Sequence, residues 1–162
     1  MTLGHRLLQG RSGHEVGREL LRELYAQHVG GEMPQILIGE RGKPYFAAGN
    51  VHFSITHTKN HVFCALSDEE IGIDAEERDR AVKPHLAAKI LSSGELRQYE
   101  QAADKDKALL TFWVLKEAAA KRSGDGLRGY PNRTDFSLDD PRVTEMNGCI
   151  VAVICNGELC NK

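Results

Sequence analysis

The order of strand-like and helix-like segments is what most constrains the fold of this chain. Three strand-like segments, residues 51–58, 62–66 and 70–76, follow one another along the sequence. Two Asn-Gly pairs, at positions 147–148 and 156–157, each lie between apolar or β-prone runs, which is a strong signal for a β-hairpin. Because strands and helices do not alternate as in βαβ units, the sequence predicts an α+β fold with antiparallel sheets.

Helical periodicity appears in several other parts of the chain. Residues 12–29 form an amphipathic pattern that stops at two glycines, and residues 84–91 form a shorter helix. Ser92 and Glu95 make a capping box that would start a further helix. A long helix is predicted over residues 106–122, where it ends at a glycine.

The composition excludes several classes of protein. The chain has 162 residues and a net charge of −2, so it offers nucleic acid no global basic field. No segment approaches about 18 apolar residues, and the N-terminus lacks the apolar core of a signal peptide. We therefore expect no nucleic acid or membrane partner and a cytoplasmic location. The four cysteines form no C-x-x-C pair, and we expect reduced thiols rather than a zinc site.

Two carboxylates end the last of the three consecutive strands. Asp74 and Glu76 follow the apolar run Ile-Gly-Ile, and Gly72 within it would permit a close approach of another backbone. Because side chains alternate along a strand, both carboxylates point to the same side of the sheet. Carboxylates in such a pair suit Mg²⁺, which completes its shell with water and substrate phosphate oxygens.

The long helix carries a third carboxylate between lysines. Trp113, Glu117 and Lys121 are spaced i, i+4, i+8 along one stripe, and Lys116 lies beside it. If this helix packs on the acidic strand, three carboxylates and two lysines converge. That set predicts a site for a divalent cation and a phosphate-bearing substrate.

The segment from Ser54 to Thr58 is the third candidate element. His57 lies between Thr56 and Thr58 at a strand end, where hydroxyls and an imidazole can donate hydrogen bonds to phosphate oxygens. A Ser-His-acid hydrolase would need a G-x-S-x-G elbow, which the sequence lacks. The spacing of His52, His57 and His61 suits neither a strand face nor a helix face, which disfavours zinc. The sequence also lacks a P-loop and a G-x-G-x-x-G motif.

Together these segments resemble the 4′-phosphopantetheinyl transferases of the surfactin-synthetase-activating type, in both order and spacing. The similarity runs from about residue 12 to about residue 155. It implies a single domain of two pseudo-symmetric α+β halves with antiparallel sheets, the N-terminal half reduced, at about 1–69 and about 70–162. The matching segments are Gly42-Lys43-Pro44, Phe53-Ser54-Ile55-Thr56-His57-Thr58, Ile71-Gly72-Ile73-Asp74-Ala75-Glu76 and Phe112-Trp113-x-x-Lys116-Glu117-Ala118-x-x-Lys121.

The resemblance implies an activity and its partners. Members of this family transfer the 4′-phosphopantetheine arm of coenzyme A to a serine of an apo acyl, peptidyl or aryl carrier protein, with Mg²⁺, and release adenosine 3′,5′-bisphosphate. The chain would then be a holo-[acyl-carrier-protein] synthase serving fatty-acid, polyketide or nonribosomal peptide synthesis. We expect a monomer or a small homo-oligomer.

The resemblance also implies roles for the acidic and basic residues. Asp74, Glu76 and Glu117 would hold magnesium on the pyrophosphate of coenzyme A. Lys116 and Lys121 would contact its phosphates, or one of them would assist proton removal. Glu117, directly or through a metal-bound water, would take the proton from the carrier serine.

The coenzyme A contacts implied by the resemblance lie in the N-terminal half. Thr56 and His57 would bind the 3′-phosphate region, and the Lys43-Pro44 pair would lie near the same phosphate or the adenine. The chain departs from the family at its beginning, where we expect the first strands to be absent ahead of the helix at 12–29. Near that helix the family often has an arginine, which Arg11 or Arg18 would replace.

Two other functions remain open on the sequence. One is a non-catalytic module that binds coenzyme A or a carrier protein, suggested by the reduced N-terminal half. The other is a magnesium-dependent phosphohydrolase acting on a pyrophosphate, with water in place of the serine. The three carboxylates argue against a pure binding module, because binding alone does not need them.

Overall fold

The computed structural model describes residues 1–126 and 134–155. Within these ranges the helices and strands follow one another without βαβ alternation. In chain order they are β1 (Thr2–Leu7), α1 (Gly13–His28), β2 (Ile36–Ile38), β3 (Pro44–Phe46), β4 (His52–His57), β5 (His61–Ser67), β6 (Ile71–Glu77), a 3₁₀ turn (Pro84–Leu86), α2 (Ala87–Ile90), α3 (Ser93–Gln101), α4 (Lys105–Ser123), β7 (Val143–Met146) and β8 (Cys149–Cys155).

Every strand pairing in the described chain is antiparallel. One sheet has the order β1-β5-β4, a second has the order β6-β8-β7, and β2 pairs with β3 in a short ladder. This confirms the predicted α+β fold with antiparallel sheets. The first hairpin signal is also confirmed, since Asn147 and Gly148 join β7 to β8 with φ values of 52° and 74°. The pair at 156–157 lies outside the described residues.

The elements pack in four layers, which follow from the alternation of side chains along the strands. Val62, Cys64 and Leu66 of β5 face α1, whose predicted apolar stripe is buried against them. Phe63 and Ala65 of the same strand face the second sheet, where they meet the odd-numbered residues of β6. The fourth layer is α4, which covers the other side of the second sheet.

Close contact between β6 and α4 depends on one glycine. A Cβ at Gly72 would stand 2.5 Å from the backbone nitrogen of Arg122 and closer still to the carbonyl oxygen of Ala118. Any side chain there would hold helix and strand apart, as the sequence suggested. The two carboxylates that follow Gly72 on the same side of β6 are therefore brought directly under the helix.

The N-terminal strand corrects one expectation from the sequence. Residues 2–7 are not a lead into α1 but form β1, which pairs along its length with β5, from Thr2 opposite Leu66 to Leu7 opposite His61. The strand escaped prediction because its partner lies more than fifty residues away and Gly4 interrupts its apolar pattern.

Two further observations concern cysteines and membranes. Cys64 and Cys149 are free and buried, whereas Cys155 is disulfide-bonded, so the expectation of four reduced thiols is wrong for that residue. No helix in the described part of the chain is long and apolar enough to cross a membrane.

Candidate active site

A cleft of about 320 Å³ opens where β4, β6 and α4 meet. It collects residues that are far apart in the sequence because Gly72 lets α4 lie directly on the acidic strand. Most of the residues predicted for the site from the acidic strand, the long helix and the histidine segment are therefore neighbours. The lining residues are Ile55, Thr56, His57, Asp74, Ala75, Glu76, Trp113, Glu117 and Lys121.

Asp74 and Lys121 form the centre of the cleft. Lys121 Nζ lies 2.6 Å from Asp74 Oδ1 and donates to Thr56 Oγ1 at 3.1 Å. Thr56 in turn donates to the same Asp74 oxygen at 2.9 Å. The Asp74 side chain is 8% exposed and the Lys121 side chain is 32% exposed. The aspartate is therefore buried, while part of the lysine side chain reaches solvent. One strand from each sheet and the helix thus meet at a single oxygen.

Glu117 lies one turn before Lys121 and is partly buried. Burial raises the pKa of its carboxyl group, repulsion from Asp74 and Glu76 raises the pKa further, and Lys121 opposes the shift. A carboxylate with a raised pKa is better matched to taking up a proton near neutral pH than an ordinary glutamate. Its position and protonation chemistry both suit a general base.

Glu76 faces the same cleft but has a partner of its own. Its carboxylate accepts a hydrogen bond from Arg80, four residues on, and its side chain is 15% exposed. Within residues 1–126 and 134–155, no three His, Cys, Asp or Glu side chains are grouped closely enough to hold a metal ion.

The residues nevertheless fit a magnesium ion in their chemistry. Three carboxylates line one cleft, and hard oxygen donors are what Mg²⁺ selects. The mutual repulsion that raises the pKa of Glu117 is also what a cation would relieve.

Two further cavities continue from the cleft. The first, of about 260 Å³, shares Ile55, Glu117 and Lys121 with the cleft and reaches Lys43 and Pro44. The second, of about 420 Å³, shares Lys43 and Pro44 with the first and extends to other residues of the 39–45 segment. Because they have walls in common, the three cavities offer room to an elongated ligand.

Lys43 lines both of these further cavities. Its ammonium pairs with the Glu70 carboxylate and donates to the carbonyl oxygen of Arg122 at 2.5 Å. The neighbouring Arg41 pairs with Asp125, just beyond the end of α4. The 39–44 turn is thereby fastened to the C-terminal end of α4.

His57 is exposed at the other rim of the cleft. Its ring lies against Gly13 at the start of α1, where a Cβ would be 2.7 Å from the imidazole. Arg11, one of the two arginines expected to approach this rim, instead donates to Glu19 at 3.0 Å. The rim is therefore formed by an imidazole and the beginning of a helix.

The structure does not bring Lys116 to the cleft. Its side chain is 2% exposed and pairs at 2.7 Å with Glu95, which is fully buried. A signal in the sequence was available, because Lys116 follows Leu109 and Phe112 at i+7 and i+4, on the apolar side of the helix. A position on that side does not support the phosphate contact that the resemblance implies for Lys116.

Comparison with known proteins agrees with the geometry of the cleft. Residues 70–151, about half of the chain, match the family described as ACPS, the 4′-phosphopantetheinyl transferase superfamily. The matched stretch contains Asp74, Glu76, Glu117 and Lys121.

Individual relatives cover more of the chain. The 4′-phosphopantetheinyl transferase AcpT of Escherichia coli O157:H7 is 37% identical over 114 residues, which are 67% of this chain and 55% of AcpT. HetI of Nostoc sp. is 31% identical over 121 residues, 68% of this chain and 51% of HetI. A Bacillus subtilis 4′-phosphopantetheinyl transferase is 33% identical over 121 residues, 69% and 52% of the two chains. This chain spans about half the length of the curated relatives it matches, and it belongs to the 4′-phosphopantetheinyl transferase superfamily.

Proposed function

We propose that this chain transfers the 4′-phosphopantetheine group from coenzyme A to a serine of an apo acyl or peptidyl carrier protein. The observation that carries the proposal is the convergence of Asp74, Glu76, Glu117 and Lys121 in one cleft that continues into two further cavities. Relatives that bear the name 4′-phosphopantetheinyl transferase support it. The products are the holo carrier protein and adenosine 3′,5′-bisphosphate.

Glu117 is our candidate for the general base. The serine oxygen bonds to the β-phosphorus of coenzyme A while the bond from that phosphorus to the bridging oxygen breaks, and adenosine 3′,5′-bisphosphate leaves with that oxygen. The serine proton passes to the Glu117 carboxylate, which lies partly buried in the cleft. Partial burial keeps the carboxylate from being fully hydrated, which strengthens its interaction with the donor.

Lys121 neutralises part of the negative charge of the pyrophosphate. Its ammonium is anchored by Asp74 and Thr56, which fixes its direction before a substrate arrives. A preorganised cation of this kind stabilises charge that develops in the transition state without reorganising at the moment of reaction. Asp74, Glu76 and Glu117 would hold Mg²⁺, which when bound supplies further neutralisation of the two phosphates.

The nucleotide end of coenzyme A would extend from the cleft into the two further cavities. We assign its 3′-phosphate region to Thr56 and His57, with Lys43 and Pro44 near the same phosphate or the adenine. The two side cavities, of about 260 and 420 Å³, give an extended molecule a path along the C-terminal end of α4. A phosphate that reaches Lys43 would compete with Glu70 for its ammonium.

Finer assignments follow from the resemblance rather than from the family match. We infer that the chain is of the surfactin-synthetase-activating type, although AcpT is a relative as well. We also infer one functional domain of two halves, at about 1–69 and about 70–162, that works in the cytoplasm as a monomer or small homo-oligomer. Nucleic acid and membranes are not among the partners we propose.

A transfer assay tests the proposal. The protein is incubated with coenzyme A, Mg²⁺ and a panel of apo carrier proteins, and intact-mass spectrometry reads the gain of one phosphopantetheine group. We expect Glu117→Gln to lower the rate on the order of 10²-fold, the effect of losing a proton acceptor. The matched control, Glu100→Gln on the exposed side of α3, should act like the unaltered chain.

The same assay separates the other functions. Coenzyme A bound without transfer to any carrier would indicate a binding module. Adenosine 3′,5′-bisphosphate released without a carrier would indicate a phosphohydrolase that uses water. If the protein neither binds coenzyme A nor transfers its arm, the proposed function is overturned.

A further inference from the structure

A buried ion pair lies on the side of α4 that faces away from the cleft. Lys116 Nζ is 2.7 Å from Glu95 Oε2, and the two side chains are 2% and 0% exposed. Lys116 is also 5.7 Å from the centre of the Phe136 ring. Both charges are thus out of water, next to the core that α4 forms with the second sheet.

The Glu95 carboxylate ties three separate segments together. Its Oε2 accepts from the backbone nitrogen of Ser92 at 2.8 Å, and its Oε1 accepts from that of Phe136 at 3.0 Å. Lys116 extends the network by donating to the carbonyl oxygen of Thr134 at 3.0 Å. The start of α3, the middle of α4 and the 134–136 segment are therefore fixed relative to one another by directional bonds.

Stability alone does not explain a pair of this kind. Removing two charges from water carries a large desolvation penalty, and a nonpolar pair of similar volume is often as stable or more so. What an apolar contact lacks is direction, since packed side chains tolerate small rotations that a hydrogen-bonded ion pair resists. The distinguishing property of Glu95 and Lys116 is that they fix an angle.

The angle they fix is the rotation of α4. Lys116 immediately precedes Glu117, so a turn of the helix about its axis displaces Lys116 relative to Glu95, with which it is paired at 2.7 Å. With side-chain tips about 5–6 Å from the helix axis, a rotation of about 10° moves a tip by about 1 Å. A displacement of about 1 Å can cost about 10²-fold in rate.

We propose that the Glu95–Lys116 pair is a positioning device that sets the rotation of α4, so that Glu117 and Lys121 face Asp74 across the cleft. The proposal rests on the proposed transfer reaction. It assigns Lys116 a role through its neighbours, distinct from contact with phosphate. The two residues cannot be exchanged. The side chain at position 95 must accept hydrogen bonds from two backbone N–H groups, and a lysine there would have no acceptor.

A double-mutant cycle separates positioning from direct contact. The variants are Glu95→Gln, Lys116→Met and the two combined, assayed for kcat and for KM with coenzyme A. We expect each single change to lower kcat about 10- to 100-fold, with KM within about twofold of the original value. The double variant should lose no more than the worse single variant, because both changes disable one device.

Direct phosphate contact by Lys116 gives a different pattern. In that case Lys116→Met raises KM for coenzyme A, Glu95→Gln has little effect, and the two effects multiply, which overturns the proposal. The matched control is an exposed ion pair that also joins α4 to another element, Lys107 on α4 with Glu145 on β7. The variant Lys107→Met with Glu145→Gln should leave kcat unchanged. Melting curves identify any variant that fails to fold.

The double variant keeps the test decisive if a single variant unfolds, since it contains no uncompensated buried charge. Unaltered kcat in a folded double variant overturns the proposal. If the unaltered chain transfers nothing, the proposed function fails, but the positioning proposal can still be tested. Trp113 fluorescence then reports the position of α4. This residue, the one tryptophan of the chain, lines the cleft on α4. Positioning predicts altered Trp113 emission and acrylamide quenching in the double variant but not in the control, and unaltered emission overturns it.

Discussion

Replacing Gly72 by alanine is the sharpest test of how the cleft is assembled. The added Cβ would stand 2.5 Å from the backbone nitrogen of Arg122, whereas ordinary contact begins at 3.4 Å, and it would lie closer still to the carbonyl oxygen of Ala118. Both neighbours are backbone atoms of α4, so no change of rotamer can relieve the overlap. Strand and helix must separate by at least about 0.9 Å, the difference between those two distances, and by more to clear the Ala118 oxygen.

This displacement has a cost in stability and a cost in rate. Inserting one methyl group into a packed core costs about 1–3 kcal/mol, and a clash with two backbone groups belongs at the upper end of that range. For a chain of this size, about 3 kcal/mol corresponds to a fall in Tm of about 6–12 °C. The same movement withdraws Glu117 and Lys121 from Asp74, which we expect to lower kcat about 10²-fold.

Thermal unfolding and the transfer assay measure the two effects on the same preparation. Gly94→Ala is the matched control, because a Cβ there meets its nearest atom, on Asp135, at 3.4 Å. Gly94 lies in the first turn of α3, so this control should be neutral or stabilising by up to about 1 kcal/mol. A Gly72→Ala protein that melts within 2 °C of the original and keeps its kcat would refute the reasoning.

Three further changes address separate parts of the molecule. Ser92→Ala removes the side-chain oxygen that caps α3 and should lower the free energy of unfolding by about 1 kcal/mol, or Tm by about 3 °C, in a melting experiment. In EDTA, the raised pKa of Glu117 means that the folded protein meets a growing cost of ionising this carboxyl as pH rises from its ordinary value of 4.5. The Tm of Glu117→Gln minus the Tm of the unaltered chain should therefore be larger at about pH 7.5 than at about pH 5. An equal difference at the two pH values would contradict this. Burial raises the pKa of Cys64 to about 12 and that of Cys149 to about 11, so a thiol reagent at about pH 8 should modify neither until guanidinium chloride unfolds the chain.

Local signals in the sequence were sufficient for most of the fold. The capping box at Ser92 and Glu95, the glycine that ends α4 and the Asn-Gly turn between β7 and β8 are all present as expected. Each depends on residues a few positions apart, so the sequence states it directly. Strand β1 depends on pairing with β5, and nothing within residues 2–7 reveals a partner so distant.

The candidate site shows the same division between local and distant information. Alternation along β6 and helical spacing along α4 placed Asp74, Glu76, Glu117 and Lys121 on two facing surfaces, and the structure brings them into one cleft. Lys116 was assigned by its position beside Glu117, whereas its direction is decided by Glu95, on another helix. A lysine next to a site residue on a helix points about 100° away from it, so its partner must be known before its role is assigned.

The position of the cleft between two sheets links ligand binding to the cohesion of the whole fold. One wall comes from β4 and the other from β6 and α4, and the direct bonds between them include Thr56 to Asp74 and Ser54 to the backbone of Ile73. A ligand that contacts both walls stabilises the packing of the two sheets against each other. At about 100 times its dissociation constant, such a ligand adds about 2.7 kcal/mol to the free energy of unfolding. A ligand kept well above its dissociation constant would therefore raise the unfolding free energy of the protein without any change in its sequence.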